Sequence, residues 1–356
     1  MKIIHVITTI DLGGAEKQLL ILTKEQVKNG FHVELIYLKG KGELFNDFIS
    51  NGVQVVNQIA NKNLFKQIFF LRKHVNSGEF IVHAHLSRSE LLMSLVKKSC
   101  YLVISKHNSE ILFKKSGELI SRILAKFVFA RANHVICISN SVKEYLQKKK
   151  EIEHHSKVTV IYYGYNSNQI KMKSSSNEHQ LVFGTACRLS PQKDLKTLLF
   201  SWQEFKRRSS LQSVLRIIGE GEDKNSLINM TIDLKIPDVI WMKPTKNLDS
   251  FYSSLDVFVL STNYEGFGLV LLEAMQNSLP ILASNNTSVP EVLGFNHSGL
   301  FKTGSVNSLV KAMLSMTNRI AREKNITLGL ERLKQFEPTL MASQIGNIYH
   351  SITSKE

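Results

Sequence analysis

Residues 256–291, DVFVLSTNYEGFGLVLLEAMQNSLPILASNNTSVPE, decide the fold that this sequence predicts. The first part, Val257–Leu260, is apolar and rich in β-branched residues, which is typical of a buried parallel strand. A polar loop with two glycines follows, and the apolar residues after it recur with helical spacing. The stretch therefore predicts a strand, a loop and a helix in succession.

Two carboxylates bracket the predicted junction between loop and helix. Glu265 lies in the loop, and Glu273 lies about two turns into the helix, at most ~12 Å along its axis. The free N–H groups of the helix attract anions, and Gly266 and Gly268 leave room for close approach. The junction therefore predicts an anion-binding site between two carboxylates that bind hydroxyl groups.

Strand-like runs alternate with helical stretches in both halves of the chain, which predicts an α/β protein with doubly wound parallel sheets. The polar segment 166–179 is the predicted interdomain linker. We therefore expect an N-terminal Rossmann-like domain over residues 1–168 and a second, nucleotide-binding one over residues 179–337. Ligands bind at the carboxyl ends of such strands, so the two domains are expected to face each other across a cleft.

The charge is concentrated in the first half of this 356-residue chain of net charge +15. Residues 1–168 hold 24 Lys and Arg against 13 Asp and Glu, giving +11, whereas the remainder holds 21 against 17, giving +4. Nucleic acid is not the predicted partner, because no zinc finger, RNA-recognition or helix-turn-helix pattern is found. An anionic membrane surface or a phosphorylated lipid fits the basic half better.

Two basic, apolar segments favour membrane contact: residues 64–73 and residues 111–131. Both have the composition of amphipathic helices that lie at an interface. The alternative is that they are ordinary helices with one face in the domain core and a basic face in water. No apolar run reaches the ~20 residues that span a bilayer, and the three distant cysteines are typical of reduced thiols. We expect a cytoplasmic protein, peripheral on the inner face of the cytoplasmic membrane.

A cationic loop follows the strand that opens the second domain. Arg188 and Lys193 lie in CRLSPQKD and are placed to stabilise a departing diphosphate, although a solvated loop with scattered charge explains the spacing equally well. Gly13 and Gly14 follow the first strand, where backbone can approach a phosphate or a sugar. The full GxGxxG fingerprint is missing there and at residues 219–221, which argues against a nicotinamide or flavin enzyme.

Three histidines stand at or just past the ends of predicted strands: His83, His85 and His107. Strand alternation places His83 and His85 on one face, but no third ligand of suitable spacing is evident nearby, so no metal site is expected. Polar contact with a substrate is the preferred role, above all for His107. The sequence also lacks a DxD pattern, so a metal-independent reaction is expected.

The chain resembles the family 4 glycosyltransferases over nearly its whole length. EGFGLVLLE at residues 265–273 matches the E-x7-E motif of that family, and VPEV at residues 289–292 continues the match. RLSPQK at residues 188–193 is similar to the diphosphate-binding loop, and GGAE at residues 13–16 to the first-domain loop. The resemblance implies the two-domain GT-B fold, with a C-terminal helix at about 338–353 that packs back on the first domain.

The resemblance also implies a role for each candidate residue. Glu273 would hold the ribose hydroxyls, while Leu269 and Val270 would offer N–H groups to the diphosphate. Arg188 and Lys193 would stabilise the leaving nucleotide. The groups that would face the donor sugar are Glu265, the backbone of Gly266, Phe267 and Gly268, and His107.

These roles describe a metal-independent, retaining transferase without a cofactor. It would move a hexose from a UDP- or GDP-linked sugar to a glycan, or to a glycan carried on a polyprenyl diphosphate, in bacterial cell-surface polysaccharide synthesis. Two alternatives remain open: a sugar-nucleotide epimerase of the same architecture, and a non-catalytic protein that binds sugar nucleotides.

Overall fold

Two compact units share the chain in the computed structural model. Unit 1 consists of Met1–Tyr165 and Phe336–Glu356, and unit 2 consists of Asn166–Gln335. The structure describes residues 1–75, 80–109, 117–152, 157–165, 180–245 and 247–354. The predicted linker at 166–179 lies outside these residues.

The secondary structure of the described residues alternates strands and helices. The strands are β1 (Lys2–Ile7), β2 (His32–Tyr37), β3 (Gln54–Val56), β4 (Ile81–His85), β5 (Tyr101–Lys106), β6 (His134–Cys137), β7 (Val158–Val160), β8 (Leu181–Ala186), β9 (Ser213–Ile218), β10 (Val239–Met242), β11 (Val257–Leu260), β12 (Ile281–Ser284) and β13 (Leu300–Phe301). The helices are α1 (Gly14–Lys28), α2 (Phe45–Ser50), α3 (Leu64–His74), α4 (Ser87–Val96), α5 (Glu118–Arg131), α6 (Asn140–Lys148), α7 (Leu195–Arg208), α8 (Lys224–Asp233), α9 (Asp249–Ser253), α10 (Leu269–Gln276), α11 (Val289–Leu293), α12 (Val306–Ser315), α13 (Arg319–Leu333) and α14 (Pro338–Thr353).

Unit 1 contains a parallel sheet with the strand order β3-β2-β1-β4-β5-β6-β7. The central strands are buried on both faces, which explains why they read as continuous apolar runs. The strand order reverses between β1 and β4, so the loops that leave these two strands diverge at a topological switch point. Such a point is where open α/β sheets bind ligands.

The terminal helix α14 belongs to unit 1, although unit 2 separates it from the rest of that unit in sequence. It begins with proline at its first position, where the missing N–H costs no helical hydrogen bond. Its apolar residues recur at helical spacing and join the buried core of unit 1: Met341, Ala342, Ile345, Ile348, Tyr349 and Ile352. The helix packs against α1.

Unit 2 contains a second parallel sheet, with the order β10-β9-β8-β11-β12-β13. Its strand order reverses between β8 and β11, the strand that precedes the loop of Glu265. One side of the sheet is covered by an aromatic cluster in which Phe183 and Trp202 both pack against Phe205, with ring centroids 5.3 and 5.4 Å apart. This cluster anchors α7, the helix that follows the cationic loop.

Three other features of the described residues bear on the sequence-based expectations. Cys100, Cys137 and Cys187 are all free thiols, and the first two are buried. No described helix has the length and apolar character needed to cross a bilayer. Of the two basic segments, residues 64–73 form most of α3, and the part of 111–131 that is described forms α5 from Glu118 onward.

We expect Ile345→Ala in α14 to lower the free energy of unfolding of unit 1 by about 2–5 kcal/mol, since it leaves a cavity in the core. Hydrogen exchange followed by mass spectrometry would show faster exchange in peptides from β1 and β4, with β8 and β11 unchanged. Gln344→Ala, at the exposed neighbouring position, is the control. Equal exchange in Ile345→Ala and Gln344→Ala would contradict the assignment of α14 to the core of unit 1.

Candidate active site

The loops that leave β8 and β11 are joined by hydrogen bonds at the carboxyl edge of the unit 2 sheet. The backbone N–H of Asn263 donates to the carbonyl of Gln192 at 2.7 Å, and the side-chain amide of Gln192 donates to the carbonyl of Tyr264 at 2.8 Å. The amide of Asn263 donates to the carbonyl of Pro191 at 3.0 Å. These bonds hold residues 191–193 against the loop that carries Glu265.

Two glycines allow the cationic loop to lie directly on the turn that follows β9. A Cβ at Gly219 would come within 1.9 Å of the Cys187 carbonyl oxygen, and a Cβ at Gly221 within 2.1 Å of the Leu189 carbonyl oxygen. The N–H of Leu189 donates to the carbonyl of Glu220 at 2.9 Å. The glycine turn therefore supports the backbone on which Arg188 is exposed to solvent.

Lys193 and Glu265 form a buried ion pair. The Lys193 ammonium donates to Oε1 of Glu265, and both side chains are largely shielded from water. The backbone of Glu265 is fixed as well, because its N–H donates to Oγ1 of Thr287 at 2.9 Å and its carbonyl accepts from Ser288 Oγ at 3.1 Å. The pair balances one positive and one negative charge at the mouth of the predicted anion site.

Helix α10 begins directly after Gly268, which has φ +90°, a left-handed conformation that glycine adopts without a steric cost. Leu269 and Val270 are the first helical residues and are half-buried. Phe267 is only 2% exposed, so its side chain belongs to the core and only its backbone is available to a ligand. The predicted strand, loop and helix are therefore present, with the free amides of the helix at the loop.

Glu273 is held by a residue that the sequence analysis did not identify. Tyr252, a buried residue of α9, donates from its hydroxyl to Oε2 of Glu273 at 2.6 Å. This bond fixes the orientation of the carboxylate. Tyr252 lies 21 residues before Glu273, in a helix of five residues too short to be recognised from periodicity.

In unit 1, Gly13 and Gly14 connect β1 to α1 at the switch point. Gly14 is the first helical residue, and a Cβ at Gly13 would lie 2.2 Å from Oε2 of Glu16. The Glu16 carboxylate accepts from Thr9 Oγ1 at 2.7 Å, so it is held under this turn. A side chain at position 13 would therefore have to displace the Glu16 carboxylate.

His107 follows β5 and has both ring nitrogens within hydrogen-bond distance of other side chains. Nδ1 lies 2.6 Å from the Tyr163 hydroxyl, and Nε2 lies 3.1 Å from Nδ1 of His85. Burial and the nearby Lys106 ammonium lower the pKa of His107 to about 3, so the ring is neutral at physiological pH. A neutral imidazole offers one donor and one acceptor and no charge.

The expectation that no third histidine accompanies His83 and His85 is wrong. Parallel pairing of β1 with β4 places His5 directly beside His83, and ligand atoms of the three rings lie within 4.8 Å of one another. The pairing of residues so far apart in sequence could not be read from local spacing, although His5 follows the same strand alternation.

Comparison with known protein families identifies the chain. A family model described as glycosyltransferase family 4 matches residues 12–169, and one described as glycosyl transferases group 1 matches residues 166–327. Together the two matches run from unit 1 through nearly all of unit 2. The chain belongs to the family 4 glycosyltransferases. This membership agrees with the resemblance carried by the E-x7-E motif.

Two relatives are named for a reaction or for a product. A UDP-Gal:α-D-GlcNAc-diphosphoundecaprenol α-1,3-galactosyltransferase from Escherichia coli is 25% identical over an alignment 377 residues long. The alignment covers 94% of this chain and 96% of the relative. The amylovoran biosynthesis glycosyltransferase AmsD from Erwinia amylovora is 24% identical over 319 residues, covering 84% and 86%.

The fold is also that of solved glycosyltransferases. The crystal structure of HepE from Anabaena, in complex with UDP, matches 99% of this chain and 100% of its own chain with a TM-score of 0.81 and 17% identity. The expected GT-B fold class, with two parallel-sheet α/β domains, is thereby confirmed.

We expect Gly221→Ala to lower the free energy of unfolding of unit 2 by about 1–3 kcal/mol, because the new methyl group meets backbone atoms of Leu189 that cannot rotate away. Both tryptophans lie in unit 2, so urea unfolding followed by their fluorescence reports on this unit. Lys311→Ala, at an exposed position of α12 in the same unit, is the control. An unchanged midpoint for Gly221→Ala would show that the loop accommodates the methyl group.

Proposed function

We propose that this glycosyltransferase moves a hexose from a UDP- or GDP-linked sugar to a glycan acceptor, with retention of the anomeric configuration and without a metal ion. The supporting observation is the arrangement around α10, where Glu265 and Glu273 flank a free helix N-terminus beside a cationic loop. HepE, which has the same fold, is described with bound UDP, which favours a nucleotide-sugar donor here.

In this proposal, each residue of the unit 2 site binds a different part of the nucleotide-sugar donor. Glu273, oriented by Tyr252, accepts from the ribose hydroxyls. The N–H groups of Leu269 and Val270 bind the diphosphate at the positive end of the helix dipole. Gly266 and Gly268 permit the sugar to approach the backbone.

Bond breaking leaves negative charge on the departing diphosphate, and fixed cations stabilise it without reorganisation. Arg188 is the exposed cation of the loop and carries this role most directly. Lys193 is paired with Glu265, so the two residues act as one unit in which the ammonium lies beside the diphosphate and the carboxylate beside the sugar. The bond from the anomeric carbon to the diphosphate oxygen breaks, and the acceptor hydroxyl attacks the same face and passes its proton to the departing diphosphate oxygen. Glu265 stabilises the positive charge on the oxocarbenium-like sugar.

The acceptor is proposed to be a glycan carried on a polyprenyl diphosphate in cell-surface polysaccharide synthesis. The Escherichia coli relative is named for a diphosphoundecaprenol-linked acceptor, and AmsD for the biosynthesis of the polysaccharide amylovoran. An acceptor of this kind lies in a membrane. The transferase therefore needs a surface that reaches the lipid headgroups.

Helices α3, α4 and α5 provide such a surface in unit 1. α4 packs against both α3 and α5, so the three helices lie side by side. Large apolar side chains are exposed along them: Leu64, Phe65, Phe69, Leu95, Leu119, Ile120, Ile123 and Phe127. Phe65 and Phe69 are 82% and 74% exposed.

Basic residues accompany these apolar side chains on the same helices, including Lys66 and Arg72 on α3 and Arg122 and Lys126 on α5. Apolar insertion together with anionic attraction is the combination used by peripheral membrane helices. We therefore propose that this surface docks on anionic lipid at the cytoplasmic face of the membrane. Residues 111–116 of the predicted interface segment lie outside the described part of the chain.

We expect Glu273→Ala to weaken donor binding, and Arg188→Ala to raise the transition-state free energy by about 2–4 kcal/mol with a smaller effect on binding. Thermal shift with UDP, UDP-sugars and GDP-sugars measures binding, and initial rates with a lipid-linked acceptor measure transfer. Glu331→Ala and Lys311→Ala, both at exposed helical positions, are the charge-matched controls.

The products of the same assay separate the proposal from its alternatives. NMR of the product gives its anomeric configuration, and inversion would overturn the proposed retention. Free epimerised sugar nucleotide without transfer would favour the epimerase. Binding without any turnover of wild-type protein would favour the non-catalytic binding protein.

We expect Phe65→Ser combined with Phe69→Ser to reduce binding to anionic vesicles at least tenfold, since burying each ring is worth about 1.5–3 kcal/mol. Co-sedimentation at increasing ionic strength measures the apolar and electrostatic parts together. Ile232→Ser combined with Ile240→Ser removes two exposed apolar side chains from unit 2 and serves as the control. Equal binding by both double variants would contradict docking through α3.

A further inference from the structure

Eight polar side chains of unit 1 form one continuous row of hydrogen-bonding neighbours, here called the histidine chain. In order, its members are Tyr163, His107, His85, His5, Gln26, Tyr349, His83 and Ser105. The successive distances are 2.6, 3.1, 3.0, 2.8, 3.4, 2.6 and 2.8 Å. The histidine chain crosses β1, β4 and β5 beneath α1 and α14, and it runs from the candidate site residue His107 into the core.

Gln26 divides the histidine chain into two arms. In the arm that runs through His5, His85 and His107 to Tyr163, the direction of every hydrogen bond follows from the orientation of the Gln26 amide. Its amide oxygen faces Nε2 of His5, so this nitrogen must carry the hydrogen. Nδ1 of His5 then accepts from Nε2 of His85, because a neutral imidazole has one donor and one acceptor. By the same rule Nδ1 of His85 accepts from Nε2 of His107, and Nδ1 of His107 accepts from the Tyr163 hydroxyl.

The other arm starts at the amide nitrogen of Gln26 and is equally consistent. That nitrogen donates to the Tyr349 hydroxyl, which donates to Nδ1 of His83. Nε2 of His83 then donates to Ser105 Oγ. Every ring nitrogen therefore has a partner of the opposite kind. The one other consistent arrangement turns the Gln26 amide over and reverses all the rings together, so the orientation of Gln26 decides between the two sets of tautomers.

This pairing requires neutral imidazole rings, and burial keeps the rings neutral by lowering their pKa. Burial lowers the pKa of His5 to about 4, despite the hydrogen bond to Gln26, which raises it. It lowers the pKa of His83 and of His85 well below the usual range, with further lowering from the neighbouring rings. The ring centroids of His83 and His85 are only 4.2 Å apart, so protonating one would place a cation against the other.

We propose that Gln26 is a positioning residue, which sets the tautomer of His107 through His5 and His85. His107 would be held with hydrogen on Nε2 and a bare Nδ1, and Tyr163 would direct its proton to that nitrogen. Tyr163 would then accept, and not donate, in any further hydrogen bond. The consequence for catalysis rests on the proposed function and on the role that the family resemblance implies for His107, which is contact with the donor sugar.

A metal site is the competing interpretation of His5, His83 and His85, whose ligand atoms are close enough to converge on one ion. All six ring nitrogens of these residues already face a hydrogen-bonding group of the chain. An ion would have to replace the bond between His5 and His85 and one of the two bonds of His83. The geometry therefore favours a complete hydrogen-bonded chain.

The first experiment is 15N NMR of the full chain with labelled histidine at neutral pH. We expect His5, His85 and His107 each to show the single neutral tautomer with hydrogen on Nε2. Mixed tautomers or a protonated ring at any of these positions would overturn the proposal. Stoichiometric zinc that shifts the His5, His83 and His85 signals together would establish the metal site instead.

The second experiment removes the junction of the two arms at Gln26 and, separately, breaks only the second arm at Tyr349. Gln26→Leu removes the acceptor that orders His5, so we expect mixed tautomers at His107 and a kcat about tenfold lower, with the donor KM within about twofold. Gln26→Glu retains an acceptor for Nε2 of His5, and it should restore both the tautomer and most of the kcat.

Tyr349→Phe is the matched control, because it removes a buried hydroxyl from the other arm and leaves Gln26 in contact with His5. We expect the His107 tautomer to be unchanged in this variant. An unchanged tautomer in Gln26→Leu, or an equal loss of kcat in Gln26→Leu and Tyr349→Phe, would reduce Gln26 to a packing residue. The tautomers are measured without substrate, so inactivity of the wild type would overturn the proposed function alone.

Discussion

Each unit depends on one constraint: all of its strands are parallel, and their order reverses once beside the first strand. The reversal lies between β1 and β4 in unit 1 and between β8 and β11 in unit 2. At the reversal, the loops that leave the two adjoining strands open a crevice at the carboxyl edge of the sheet, where ligands bind. Gly13 follows β1, Arg188 and Lys193 follow β8, and Glu265 follows β11. The sheet thus gathers chemically active residues from distant parts of the sequence.

Backbone contacts fix the positions of the loops that the sheet brings close together. The glycine turn at 219–221 lets the cationic loop lie within backbone contact, and Asn263 and Gln192 tie that loop to the next one. The ion pair of Lys193 and Glu265 forms within this frame. A pair so shielded from water is stable only while both charges remain, because either one alone would be buried without compensation. Electrostatics and loop geometry therefore depend on each other.

Local patterns predicted much of this arrangement, and long-range pairings set the rest. The strand, loop and helix around Glu265 and Glu273 could be predicted because the decisive residues lie within one stretch of sequence. The contact of Lys193 with Glu265 joins residues 72 positions apart, and the bond from Tyr252 to Glu273 depends on a very short helix. His5 joined the histidine cluster only through strand pairing. The spacing of residues along the sequence does not predict such long-range contacts.

Helix α13 shows the same limit in the fold itself. Its sequence has no clear apolar stripe, and few of its residues are buried: Asn325, Gly329 and Leu333. Asn325 nevertheless bonds both backbone groups of Ile281, the first residue of β12. A helix recognised by its apolar stripe is easy to predict, whereas one fixed by a buried amide is not.

The return of α14 to unit 1 has a consequence for the order of events on the ribosome. Unit 2 is synthesised as one uninterrupted segment and can fold as soon as it emerges. Unit 1 begins earlier but lacks part of its core until α14 leaves the exit tunnel. Tyr349 also completes the histidine chain, so His83 gains its Tyr349 partner only after α14 has been synthesised. The half of the enzyme that is made first is therefore the half that matures last.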